Sequence, residues 1–177
     1  MRFLTFEYSG EQKFGLVNEH GIVDLSNRFP QYQDLRAVLR SDALADIGSA
    51  TADAPADYHE HDIEFLPPIP NPEKIICIGV NYANRNAEYR DNSSDPDYPS
   101  VFMRSRESLV GHRQLILDPP ESDQLDYEGE IVLVVGKAGR RITEQNAHHY
   151  IAGTTIMNEG SVRDYLRHSK FNVTQGK

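Results

Sequence analysis

Two glutamates stand two residues apart where an apolar segment begins. Glu128 and Glu130 lead into 131–135, a run of valine, isoleucine and leucine. Residues two apart on a strand face the same side, so the two carboxylates can converge on one point. Converging carboxylates repel each other unless a proton or a cation lies between them, and oxygen-only ligands favour a hard cation over zinc. Taken alone, the pair is more typical of a solvated strand rim than of a metal site.

A third carboxylate follows a later strand. The segment 154–157 is predicted as a strand that brings Glu159 to the start of a helix, which 161–164 (SVRD) would open as a capping box. A glutamate at this position can also serve only to complement the helix dipole. The third carboxylate strengthens the metal-site hypothesis and leaves that alternative open.

Several motifs, in order along the chain, match one known family. The run from Lys74 to Lys177 resembles the catalytic domain of the fumarylacetoacetate hydrolase family. The amino-terminal segment is similar to the small leading domain of that family. The matching pieces are 76–82 (ICIGVNY), 99–104 (PSVFMR), 108–111 (SLVG), 126–130 (DYEGE), 134–137 (VVGK) and 158–164 (NEGSVRD).

The resemblance implies a divalent-metal site. Glu128, Glu130 and Glu159 would hold Mg²⁺ or Mn²⁺, with Ca²⁺ as a further candidate, and the ion would bind the 2-oxo or enol carboxylate end of a small acid. Family members usually carry Asp at the position of Glu159, so the extra methylene predicts a slightly displaced ion. The resemblance also assigns Lys177 to a position near the substrate oxygens and Arg163 to a position close to the metal.

Two further residues are implied to bind substrate together with Arg163. Tyr82 belongs to one matching motif, and Arg104 occupies a position that is commonly lysine. The guanidinium of Arg104 could clamp a second carboxylate bidentately, and a surface arginine is the alternative.

The predicted catalytic residues are Glu88, Lys177 and Arg85, and here the chain departs from the family. In hydrolytic members a histidine stands at the position of Arg85 and pairs with the glutamate matched by Glu88 to activate water. No histidine lies between His61 and His112, and an arginine stays protonated to about pH 12, so it cannot take a proton from water. Either Glu88 acts alone or Arg85 serves as an anion clamp.

The leading functional hypothesis is a metal-dependent enzyme that acts on 2-oxo or 2,4-dioxo acids through an enolate. Hydrolytic C–C cleavage of an acylpyruvate is the favoured outcome, in which Glu88 handles a proton or water, Lys177 supports the developing charge, and Arg104 or Arg85 grips the distal carboxylate. The alternatives are an isomerase, decarboxylase or hydratase of a 2-hydroxy-dienoate such as 2-hydroxyhepta-2,4-diene-1,7-dioate, or a non-catalytic protein that binds metal and carboxylate.

Composition narrows the classes of partner. The chain has 177 residues with 27 acidic and 18 basic side chains, and its net charge of −9 disfavours binding to nucleic acid and to anionic lipid. The longest apolar run, 131–136, falls far short of the roughly 20 residues of a membrane helix. We therefore expect a cytoplasmic protein that binds no membrane, and the resemblance implies a small 2-oxo acid as substrate and a homodimer when the protein is full length.

The predicted fold class is α+β and mainly β. The expected organisation is a small antiparallel β domain over 1–66, a proline-rich linker over 67–73 and the amino-terminal portion of the catalytic domain over 74–177. This portion would form an incomplete mixed β-sheet roll, since the family's catalytic domain normally continues well past the position of Lys177. Unpaired strand edges are then expected, and with them low stability or self-association.

Local patterns predict the individual elements. We expect a β-meander within 1–25, a short helix around Leu35, irregular structure over 41–62, and a buried strand over 74–80 that contains the single cysteine, Cys77. The later expectations are a helical turn over 84–90, a candidate lid over 91–99, short strands over 101–103 and 115–117, a central strand over 130–136, and a helix from Thr143 to His149 with Gly153 as its stop.

Overall fold

A computed structural model describes residues 1–82, 98–168 and 173–177 of the chain. These residues form two compact units, the first made of 1–71, 109–117 and 127–159, the second made of the described residues within 72–108, 118–126 and 160–177. The fold is mainly β with few helices, as predicted. The domain boundaries expected at 66 and 74 stay a prediction. The expected helical turn over 84–90 and most of the candidate lid lie outside the described residues.

The amino-terminal part of the first unit is an antiparallel sheet. Its strands are β1 (Arg2–Tyr8), β2 (Glu11–Asn18), β3 (Gly21–Asp24) and β4 (Glu64–Leu66), in the order β3-β2-β1-β4. Ser9 and Gly10 make the β1–β2 turn with φ of 53° and 80°, a conformation that favours glycine. The predicted meander is therefore confirmed.

Three helices cover this sheet: α1 (Leu25–Arg28), α2 (Leu35–Arg40) and α3 (Leu44–Thr51). The helix expected around Leu35 is confirmed, whereas the irregular structure expected over 41–62 is wrong for the residues of α3. The buried residues of α3 are Ile47, Gly48 and Thr51, and a Cβ at Gly48 would lie 2.4 Å from the Met1 sulfur. Because only Ile47 of these three residues has a large apolar side chain, this face shows no clear hydrophobic period in the sequence.

At the N-terminus of α1, a buried network of charged and polar side chains joins strands β2 and β3. The carboxylate of Asp24 is fully buried and lies 3.2 Å from the Lys13 ammonium, and it accepts hydrogen bonds from the Asn27 backbone N–H and the Tyr58 hydroxyl. Burial alone would lower the pKa of Lys13, but the hydrogen bond and charge of Asp24 outweigh it and hold this pKa above its ordinary value of 10.5. Burial, together with the charge of Asp24, raises the pKa of Tyr58. The network is satisfied internally and stabilises the sheet.

The carboxyl-terminal part of the first unit is a two-stranded antiparallel sheet. Strand β8 (Gly129–Val135) pairs with β9 (Ile151–Asn158), and a 3₁₀ helix (Glu144–Tyr150) lies between them. The strand expected over 130–136 is present, but the prediction that it is a central strand is wrong. A central strand has a neighbour on each side, whereas among the described residues β8 pairs with β9 alone. One face of this sheet is apolar and exposed, with Ile131 72% and Ile156 84% accessible.

The helix expected from Thr143 to His149 is confirmed in position, since a 3₁₀ helix over Glu144–Tyr150 follows Thr143 as its N-cap residue. Two further expectations in this unit are wrong. Gly153 continues β9 instead of stopping the helix. The strand expected over 115–117 is an irregular segment in which Leu115 is 85% exposed. The chain is held just before it, where Gly111 lies so close to the backbone of Phe65 that a Cβ would overlap the Phe65 oxygen.

The second unit contains two short antiparallel pairs. Strand β5 (Ile75–Gly79) pairs with β6 (Ser100–Arg104), and β7 (Leu125–Asp126) pairs with β10 (Ser161–Val162). The strands expected around 75–79 and 101–103 are confirmed. The expected burial of β5 is wrong, since its residues alternate between half-buried and exposed.

The described residues of this unit also form three short 3₁₀ helices: Arg106–Ser108, Tyr165–Arg167 and Thr174–Gly176. The capping-box helix expected from Ser161 is wrong, since Ser161 pairs with Asp126 in a strand. No helix in the part of the chain that the structure describes is both long and apolar enough to cross a membrane.

Candidate metal centre

The three predicted carboxylates meet at one end of the β8–β9 pair. Glu128 directly precedes β8, Glu130 is its second residue, and Glu159 directly follows β9. One oxygen from each side chain lies within 4.8 Å of the other two. The pairing register explains why they meet. Gly129, the first residue of β8, lies opposite Asn158, the last residue of β9, so the start of β8 and the end of β9 lie at the same end of the sheet.

Backbone hydrogen bonds fix how the two ends approach each other. The N–H of Glu159 donates to the carbonyl oxygen of Glu128 at 2.7 Å, and the N–H of Glu128 donates to Oδ1 of Asn158 at 3.1 Å. The longer side chain of Glu159, where the family usually has Asp, still brings an oxygen into the cluster.

The burial and chemistry of the cluster fit a divalent cation. Glu159 is 5% exposed, and the other two glutamates are half-buried. Three carboxylates held this close repel one another, and burying a carboxylate without compensating charge is costly. A set of oxygen donors with this negative charge suits a hard cation of the Mg²⁺, Mn²⁺ or Ca²⁺ type.

Arg163 forms an ion pair with Asp126. Its Nε donates to Oδ2 of Asp126 at 2.9 Å, and its Nη2 lies 2.9 Å from the same oxygen. The backbone N–H of Arg163 also donates to the Gln124 carbonyl at 3.0 Å, which extends the β7–β10 pairing by one residue. Sequence reasoning placed Asp126 in a motif without giving it a role. Its spacing of two residues from Glu128 was the signal available.

Two cationic side chains that are predicted to bind substrate lie on strand β6 or in contact with it. Arg104, the last residue of β6, donates from Nη1 to the Gly160 carbonyl at 3.2 Å and from Nε to Oγ of Ser108 at 3.3 Å. The ammonium of Lys177 lies 5.1 Å from the centre of the Phe102 ring, a cation–π contact. Arg104 and Phe102 are two residues apart on one strand, and this spacing places both on the same side of β6.

Of the three remaining predicted site residues, the structure describes Tyr82. Tyr82 is 56% exposed and lies at the edge of the described residues. Glu88 and Arg85 lie outside the described residues, so their catalytic roles stay predictions.

A sequence model of one family matches more than half of the chain. The model described as "Fumarylacetoacetate (FAA) hydrolase C-terminal" matches residues 74–177, which is more than half of the chain. This range contains the three glutamates of the cluster and every other predicted site residue.

Curated relatives with stated activities are similar over part or most of the chain. Oxaloacetate tautomerase YisK of Bacillus subtilis is 38% identical over 119 residues, which is 66% of this chain and 40% of the relative. The mitochondrial oxaloacetate tautomerase fahd2 of Xenopus laevis is 34% identical over 175 residues, which is 93% of this chain and 53% of the relative. The chain thus spans about half, or less, of the length of these two proteins.

A solved structure shares the fold. A fumarylacetoacetate hydrolase from the psychrophile Exiguobacterium antarcticum superposes with a TM-score of 0.79 at 26% identity, and the match covers 100% of this chain and 62% of that one.

Proposed function

Because the chain belongs to the fumarylacetoacetate hydrolase family, we propose that it carries the metal site of an enzyme that acts on a small 2-oxo acid through its enolate. The meeting of Glu128, Glu130 and Glu159 within 4.8 Å is the observation that carries the proposal. The three carboxylates would hold Mg²⁺ or Mn²⁺, since both ions take the same oxygen ligands.

The chemistry of the proposal follows from the charges. A divalent cation held by the three carboxylates supplies Lewis acidity toward the 2-oxo group of the substrate. Loss of a proton from the neighbouring carbon places negative charge on the 2-oxo oxygen. In this proposal Glu88 moves that proton, Lys177 supports the negative charge, and Arg104 binds the distal carboxylate.

Keto–enol isomerisation of a 2-oxo diacid is the outcome we favour. Isomerisation needs only a group that removes a proton and returns it, whereas hydrolysis also needs an activated water. Arg85 stands where hydrolytic members have histidine and cannot activate water. The similarity to oxaloacetate tautomerases at 34–38% identity supports this choice, with oxaloacetate as the first substrate to test.

Hydrolytic C–C cleavage of an acylpyruvate is the second candidate. It is supported by the retained Glu88, which could act on water alone, and by the structural match to a fumarylacetoacetate hydrolase at 26% identity. The two reactions share the enolate and diverge after it forms, since one returns a proton to carbon and the other adds water.

Ultraviolet absorbance separates the two reactions. The protein is mixed with enol oxaloacetate or with an acylpyruvate, plus Mg²⁺ or Mn²⁺, with and without chelator, and each trace is compared with metal alone. Faster decay of the enol band of oxaloacetate without release of a fragment supports the isomerase, whereas pyruvate released from the acylpyruvate supports the hydrolase.

A pair of variants ties the activity to the cluster. Glu128→Ala is expected to abolish the chelator-sensitive change, and Glu121→Ala, which removes an exposed carboxylate elsewhere, is expected to leave it intact. Metal binding without reaction of either substrate would support the non-catalytic alternative and contradict the proposal.

A further inference from the structure

Asn158 contacts the peptide group of a proposed metal ligand. Its Oδ1 accepts a hydrogen bond from the N–H of Glu128 at 3.1 Å, and the carbonyl oxygen of Glu128 accepts one from the N–H of Glu159 at 2.7 Å. The peptide groups on both sides of the Glu128 α-carbon are therefore bonded to two consecutive residues at the end of β9.

Glu128 lies between β7, which ends at Asp126, and β8, which begins at Gly129. The hydrogen bond from the Glu159 N–H to its carbonyl continues the β8–β9 register by one residue, and the side chain of Asn158 accepts its N–H. The next residue is a glycine, and a Cβ built at Gly129 would meet no atom within 4 Å. The hydrogen bonds of Glu128, together with the pairing of Gly129 with Asn158, determine where the Glu128 side chain begins.

We infer that Asn158 is a positioning residue for the metal, acting through the backbone of Glu128. This inference rests on the proposed function in that it takes the three carboxylates to be metal ligands. Asn suits the position because its side-chain oxygen accepts a hydrogen bond without adding a fourth negative charge to the cluster. Hydrogen-bond partners of metal ligands typically change metal affinity about 10- to 100-fold, and we expect a smaller effect from an exposed hydrogen bond to the backbone.

Direct Mn²⁺ titration of the full chain by calorimetry tests the inference without requiring turnover. Asn158→Ala removes the acceptor and is expected to weaken Mn²⁺ binding by about 3- to 10-fold. Asn158→Asp keeps an acceptor oxygen and is expected to bind Mn²⁺ at least as tightly as the natural chain. Thr154→Ala changes another exposed polar residue of β9 and serves as the matched control, with unchanged affinity expected.

A merely structural role would give a different pattern. Asn158→Leu keeps the approximate size of the side chain without the acceptor, so it should repeat the loss seen with Ala while the melting temperature without metal stays unchanged. Natural affinity in Asn158→Ala, or an equal loss in the Ala and Asp variants, would overturn the inference.

The same titration separates this inference from the proposed function. If the natural chain binds Mn²⁺, the Ala variant binds it more weakly, and no 2-oxo acid reacts, the proposed function fails and the inference stands. If the natural chain binds no Mn²⁺, both are overturned.

Discussion

At the scale of single residues, Glu159 differs from its two partners in burial. It is 5% exposed, whereas Glu128 and Glu130 are half-buried. Its charge is therefore the least solvated of the three, so it gains most from a cation and, without one, adds most to the repulsion within the cluster.

Replacing Glu159 by Gln should separate metal affinity from stability. Glu159→Gln removes one negative charge, so we expect Mn²⁺ affinity to fall by about 100-fold or more while the metal-free protein becomes no less stable. Calorimetric titration and thermal melts with and without Mn²⁺ measure the two effects. Glu121→Gln, at an exposed position, should change neither, and a metal-free Glu159→Gln that melts well below the natural chain would contradict this expectation.

The Lys13–Asp24 pair is the residue-scale test of the core. Lys13 has a side chain 10% exposed and Asp24 is fully buried, so Lys13→Met leaves a buried carboxylate without its cation. We expect a loss of about 2 to 4 kcal/mol in the free energy of unfolding, measured by urea titration. Lys137→Met breaks the exposed Lys137–Asp42 pair, whose side chains are 52% and 75% accessible, and should cost about 0.5 kcal/mol or less. If Lys13→Met and Lys137→Met lowered the free energy of unfolding equally, the stabilising role assigned to the buried Lys13–Asp24 pair would be wrong.

The same pair predicts how stability depends on pH. The folded-state pKa values of Lys13 and Tyr58 are both raised, so their contribution is fully present below their ordinary values of 10.5 and 10.0 and is lost as the pH rises through the folded-state values. Urea midpoints of the natural chain should therefore fall in alkali, and those of Lys13→Met should fall less. If the urea midpoints of the natural chain and of Lys13→Met fell equally as the pH rises, groups other than Lys13 would control stability in this pH range.

At the scale of elements, an ion pair joins the last residue of β7 to the residue that follows β10. These strands are two residues each, and the Arg163–Asp126 contact is partly exposed, with side chains 24% and 47% accessible. In a double-mutant cycle with Arg163→Ala and Asp126→Ala, we expect each single change to cost about 1 kcal/mol and a coupling of about 0.5 to 1 kcal/mol in urea unfolding. If the effects of the two single substitutions simply added, Arg163 would not stabilise the protein through its contact with Asp126.

The elements predicted correctly are those whose patterns are local. Alternation in 3–8 and 14–17 with a turn at Ser9-Gly10 determines a meander without distant information. Ser161 shows the limit of such reasoning, because its capping-box pattern favours a helix while pairing with Asp126, far away in sequence, makes it a strand. Strand β8 is apolar on both faces, but this composition does not state how many strands pair with it.

The candidate site could be predicted to a similar extent. The spacing of Glu128 and Glu130 predicted their shared side, and the strand before Glu159 brought the third carboxylate to them. The supporting contacts of Asn158 and Asp126 depend on the register between two distant segments, which no local pattern of the sequence specifies.

At the scale of the whole molecule, the exposed face of the β8–β9 sheet should govern self-association. Ile131 and Ile156 lie opposite each other and are 72% and 84% exposed. Replacing both by Lys is expected to reduce self-association, measured by sedimentation at several concentrations, because it removes apolar surface and adds like charge.

The double substitution should leave stability nearly unchanged. We expect the free energy of unfolding to change by about 0.5 kcal/mol or less per site, whereas Phe14→Ala in the core should cost about 3 to 5 kcal/mol. Unchanged self-association of the lysine variant would show that this face is not responsible.

The position of the three carboxylates bears on how the β8–β9 pair forms. They come from both strands of one antiparallel pair and meet at one end of it, so they approach one another only as β8 and β9 come together. Their mutual repulsion then opposes this step, and a divalent cation would relieve it. Refolding should accordingly be faster in Mn²⁺ than in chelator for the natural chain, and this difference should shrink in Glu159→Gln. The ion would thus promote formation of its own binding site during folding.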